Sequence, residues 1–144
     1  MISVKYFFAC ERIQPEINPL MPNTATSMHM VNPFVAIVVP LIPTAFSFTV
    51  CFAVAGLAEN EGHKLALEII DSNKMGVARS EVEFFQPSGG GSMGQPDGYA
   101  QIAIELRNVV LRVEGEYEFI LSHGGETVYS YKLDAVVVKG MESQ

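Results

Sequence analysis

The chain has no tryptophan, only two cysteines, and only nine lysines and arginines among its 144 residues. Each scarcity excludes something. Cys10 and Cys51 lie too far apart for a metal-binding spacing, and two thiols do not build a disulfide scaffold. The nine cations are scattered and no two adjoin, so the clustered basic stripe that neutralises phosphates is missing and no nucleic-acid partner is expected. The formal net charge of -7 favours solubility and names no ligand. Charged residues are 17% of the chain, below the roughly 25% of an average globular protein. Sandwich interiors, oligomer contacts or a membrane each account for such a low share. No segment reads as a helix of useful length, and no internal repeat is visible.

The first ten residues hold one lysine and a very short apolar run, closed at once by Glu11 and Arg12. A secretory signal needs a longer apolar stretch and a small-residue cleavage site. The expectation is a cytoplasmic protein with both thiols reduced. The alternative is a Cys10–Cys51 bridge stapling two sheets.

What the chain does have is apolar residues, 49% of the total. No Asp, Glu, Lys or Arg occurs between Glu16 and Glu59, and the stretch from Phe34 to Leu57 is long enough for a helix to cross a bilayer. Its internal order argues for strands instead. From Ala45 to Ala55 the even positions are Phe46, Phe48, Val50, Phe52 and Val54, and the odd ones are Ala, Ser, Thr or Cys. Large and small side chains alternate with period two, which is a strand with one bulky face. Pro40 and Pro43 interrupt the window, and proline breaks a helix interior. No membrane span is expected.

Similar patterns recur along the chain. Ser3–Ile13 reads as the first strand. Pro15, Pro19 and Pro22 then crowd the stretch from Gln14 to Asn23, which reads as loop. Thr24–Asn32 holds a short strand, and Phe34–Val39 another. His63–Asp71, with Leu65, Leu67 and Ile69 on one face, joins Val77–Gln86 through the turn Asp71–Gly76 to make a hairpin. Pro87–Gly98 is a glycine-rich low-complexity loop. Tyr99–Leu106 alternates, with Ala100, Ile102, Ile104 and Leu106 inward. Tyr117–His123 places Tyr117, Phe119 and Leu121 inward, and Thr127–Lys139 follows the turn His123–Glu126. Seven to nine short strands with closely spaced turns predict an all-β domain, an immunoglobulin-like sandwich of two antiparallel sheets. One domain spans residues 1–140, and 141–144 is a short tail.

Gly115-Glu116-Tyr117-Glu118-Phe119 resembles a tyrosine corner, in which a Tyr two residues before a core position bonds back to nearby backbone. That role is structural. Ser88-Gly89-Gly90-Gly91-Ser92 lacks the Lys-Ser or Lys-Thr of a phosphate loop. His29, His63 and His123 stand alone, without a zinc spacing. Glu114, Glu116 and Glu118 alternate as on a solvated sheet face, and Asp71-Ser72-Asn73 lacks the closing Glu of a calcium loop. Ser, His and Asp are all present, but no nucleophile elbow is read from them. No catalytic, cofactor-binding or metal residue is expected, and no cofactor.

The strand Phe7-Phe8-Ala9-Cys10-Glu11, Ile42-Pro43 before a long apolar strand, His63-Lys64-Leu65 leading to the Asp71–Gly76 turn, and Gly115-x-Tyr117 resemble a small bacterial β-sandwich family of unknown function. The resemblance implies a fold and no activity. The functional expectation is a non-enzymatic module that binds a protein partner or its own copies. The alternative is a small-molecule-binding protein or small enzyme with a pocket near the 87–98 loop.

Overall fold

The computed structural model describes residues 2–18, 21–87 and 98–138, and for residues 15–18 and 21–28 it describes the backbone alone. Among the described residues are nine strands and no helix: β1 (Ser3–Asn18), β2 (Met21–Phe34), β3 (Ala36–Val39), β4 (Thr44–Ala55), β5 (Glu61–Ile70), β6 (Gly76–Gln86), β7 (Ala100–Leu111), β8 (Gly115–His123) and β9 (Glu126–Val137).

They form two sheets, ordered β2-β1-β4-β7 and β3-β9-β8-β5-β6. The chain crosses from one sheet to the other on entering and on leaving β3, between β4 and β5, between β6 and β7, and again between β7 and β8. This is the Greek-key wiring of an immunoglobulin-like sandwich. The expected sandwich is therefore present, with one refinement. All pairings are antiparallel except β3 with β9, which run parallel from Ala36↔Asp134 to Val39↔Val137.

The core is made by the inward rows of both sheets. Phe48, Val50, Phe52 and Val54 of β4 are buried, as the alternation requires. They face Leu65, Leu67 and Ile69 of β5 and Tyr117, Phe119 and Leu121 of β8. Phe7 stacks on Phe52 at 5.7 Å between ring centroids and meets Phe119 edge-on at 6.3 Å. Aromatic pairs favour such offset and edge arrangements.

Two expectations need correction. The proline-rich stretch after Ile13 is strand up to Asn18 and again from Met21, with Pro15↔Met28 and Cys10↔Pro33 in register. Beyond Cys10, β1 is paired to β2 alone, and β2 is an edge. An edge strand tolerates proline because only half its ladder groups are needed. Second, β7 continues past Leu106 to Leu111. A bulge opposite Phe46–Phe48 adds a residue, so Leu106, Val109 and Leu111 are all buried and the period of two is lost. Asn108 takes φ 55° there and donates its N–H to Ser47 Oγ at 2.9 Å.

Candidate functional site

The inward row of β5 runs Leu65, Leu67, Ile69, and its first member is His63. The inward row of β8 runs Tyr117, Phe119, Leu121, and its last member is His123. Because Leu65 lies opposite His123 in the ladder, both rows end in histidine at the same mouth of the sandwich. His63 Nδ1 and His123 Nε2 stand 3.0 Å apart, and His63 Nε2 lies 2.8 Å from the carbonyl oxygen of Ala58. A carbonyl only accepts, so His63 carries a proton on Nε2, and in the neutral ring the Nδ1 lone pair faces His123. His123 then donates Nε2–H to it. Burial, and then the charge that His63 would carry, hold His123 below its ordinary pKa. The Phe84 ring lies 5.8 Å from that of His63.

The same mouth holds the feet of the 87–98 connection. Leu57 N–H donates to Gly98 O at 2.9 Å, and Gln86 Nε2 donates to Tyr99 O at 3.5 Å. The expected loop pocket itself falls on residues 88–97, outside the described residues. Those residues also contain Gly90-Gly91-Ser92-Met93-Gly94, which does have the spacing of a nucleophile elbow. That motif lies wholly within residues 88–97.

At the opposite end, the outer face of β3 and β9 carries an apolar pair next to the exposed Asp134, which stands opposite Ala36. Val38 and Val136 are paired in register and are 54% and 38% exposed, with Val35 and Leu41 exposed beside them. The free side of β3 is an edge of its sheet. Below it lies a cleft of about 570 Å³ lined by Pro40, Leu41, Ile42, Arg112, Val113, Glu114 and Val137. Glu114 accepts the N–H of Val137 at 2.9 Å. Among the described residues no carboxylate forms an ion pair with Arg112. A second cleft, about 370 Å³, lies on the outer face of β4 and β7 and is edged by Glu11, Glu105 and Arg107. Neither cleft is lined by Pro87 or Gly98.

The remaining motifs behave structurally. Tyr117 Oη donates to Val113 O at 2.7 Å, as a tyrosine corner requires. Cys10 and Cys51 are both free thiols. Asp71 Oδ1 accepts the N–H groups of Asn73 and Met75 and so closes the turn. Among the described residues no three His, Cys, Asp or Glu converge as metal ligands, and no helix is long and apolar enough to cross a membrane. Sequence reading missed the His63–His123 contact. The signal was parity, since each histidine occupies the next inward position of an aliphatic row.

A family model matches residues 7–136. The chain belongs to DUF6941, a family of unknown function. No curated protein matches this DUF6941 chain. Among solved structures, it is similar to a Pseudomonas fluorescens alkylpurine DNA glycosylase bound to DNA containing an abasic site analogue. The identity is 10% over 93% of this chain and 30% of the glycosylase, with a TM-score of 0.52. It is also similar to an immunoglobulin-like protein from Pseudomonas aeruginosa, at 11% identity, 94% and 97% coverage and a TM-score of 0.40. A Listeria innocua β-glucosidase in complex with glucose shares 10% identity over 72% of this chain and 15% of the enzyme, with a TM-score of 0.45. The chain thus spans under a third of the glycosylase and a smaller share of the glucosidase. At such identities the likeness concerns the fold alone.

Proposed function

We propose that this DUF6941 protein is a non-enzymatic interaction module that receives an extended segment of a partner protein along β3. The observation that carries this reading is the exposed Val38–Val136 pair beside the free edge of β3 and the Arg112 cleft. An incoming strand finds backbone partners on that edge, and its apolar side chains find the Val38–Val136 pair. Arg112, with no carboxylate pairing it among the described residues, selects an acidic group on the ligand. The free thiols Cys10 and Cys51 fit a reducing, cytoplasmic setting. The family resemblance favours a bacterial source.

Selection of random displayed peptides on the purified protein tests this. The expected ligands alternate apolar residues and carry an Asp or Glu, and they lose at least tenfold in affinity for Val38→Asp and for Arg112→Glu. Peptides that bind both variants undiminished, or a selection that yields none, would end the reading. A dimer in sedimentation velocity that Val38→Asp dissociates would make the occupant a second copy and overturn the partner assignment.

A further inference from the structure

We propose that His63 and His123 form a two-histidine chelate for a divalent late first-row cation, with Zn²⁺ as the simplest case. The inference is independent of the β3 surface, which lies at the other end of β8 and β9.

The argument begins with position. An inward row normally ends in an aliphatic side chain or a solvated polar one. Here two neighbouring rows both end in imidazole, and the two rings face each other at the mouth of the core. Their centroids are 5.1 Å apart, and the facing nitrogens 3.0 Å. With zinc–nitrogen bonds of about 2.0–2.1 Å, that separation corresponds to an N–Zn–N angle of roughly 90–100°. Both nitrogens are thus spaced to reach one cation once each ring tilts to aim its lone pair at the shared point.

The second observation is the partner behind His63. Ligating histidines characteristically donate their other N–H to a carbonyl or carboxylate, which fixes the tautomer and strengthens the ligand. His63 Nε2–H does this with Ala58 O at 2.8 Å, and its Nδ1 lone pair is thereby committed to the shared space. His123 now fills that space with its own Nε2 proton. On binding, this proton leaves Nε2 and the neutral ring carries it on Nδ1, so the cation replaces one shared hydrogen and no net proton is lost. Since no third protein ligand converges among the described residues, water completes the coordination. Such an open position suits binding of a further small ligand more than a structural role.

The test uses the full chain, stripped with chelator and titrated with Zn²⁺ alone. Imidazole ¹⁵N spectra of the wild type should show His63 Nδ1 and His123 Nε2 shifting together at one equivalent, with His29 unmoved. His123→Gln should raise the dissociation constant at least tenfold, and His29→Gln should leave it unchanged. Because His123 is half-buried at a strand end, the variant's fold can be verified independently by its amide spectrum. If the ring nitrogens of His63 and His123 stay in place at saturating Zn²⁺, or if binding follows His29, the pair is only a hydrogen bond and the proposal fails.

Discussion

Tyr117, fully buried at the start of β8, donates its hydroxyl to the carbonyl of Val113 at 2.7 Å and so ties the β7–β8 crossover to the core. Donor and acceptor are four positions apart, and Gly115 between them takes φ 119°. Its absent Cβ would lie 3.1 Å from Ser72 Oγ, so glycine is needed for both reasons. Replacing Tyr117 by Phe keeps the ring and leaves the Val113 carbonyl without its partner. The expected loss is about 1–2 kcal/mol by urea denaturation, with an unchanged m-value.

The Asp71 turn allows a similar measurement at a different place. Asp71 is buried and its Oδ1 accepts two backbone N–H groups, from Asn73 at 2.9 Å and Met75 at 3.0 Å. Asp71→Ala leaves both donors unpaired and should cost about 1–3 kcal/mol. Asp71→Asn keeps an acceptor oxygen and should recover more than half of that loss in the same assay.

The β7 bulge separates backbone strain from side-chain chemistry. Asn108 has φ 55°, a region that β-branched residues avoid. Asn108→Gly should be nearly neutral, whereas Asn108→Val should cost about 1–2 kcal/mol. Ser47→Ala, which removes the acceptor for Asn108 N–H, should destabilise as well. Thermal unfolding of the three variants ranks them.

Alkaline pH should weaken the fold. Burial pushes the Cys10 and Cys51 thiols above their usual 9.0, and the Tyr6 and Tyr117 hydroxyls above their usual 10.0. A folded pKa above the unfolded one means that the unfolded chain loses its proton first. The stability these groups contribute is whole below about pH 9 and is lost as pH rises through the shifted values. Denaturation midpoints should therefore hold steady from pH 7 to 8 and fall above about 9. A thiol reagent at pH 8 should label the native protein far more slowly than the urea-unfolded chain, because burial limits both access and thiolate.

Legibility in the sequence followed the range of the interaction. The period-two order from Ala45 to Ala55 identified β4 and its buried face, because side-chain direction in a strand is a local property. The tyrosine corner was legible for the same reason, its donor and acceptor being four residues apart. The Pro15–Pro22 stretch was misread since proline's cost depends on which side of a strand is paired, and only the sheet order reveals that β2 lies at an edge. The far half of β7 was missed because one bulged residue reverses parity for all that follow. The β3 surface depended on a parallel pairing between segments 98 positions apart, Ala36 with Asp134.

The sequence by itself determined the class of fold. Alternation selects strands, a bulky face on each strand demands an opposing sheet, and an apolar content of 49% supplies the filling. It also shows that no two of the nine lysines and arginines adjoin. Tertiary structure alone decided where chemistry can happen. His63 and His123 are sixty residues apart and carry no shared motif, yet Leu65↔His123 pairing sets their nitrogens 3.0 Å from each other. The physical reason is that a ladder brings distant residues together by register, and register is settled by the whole buried face rather than by any one residue.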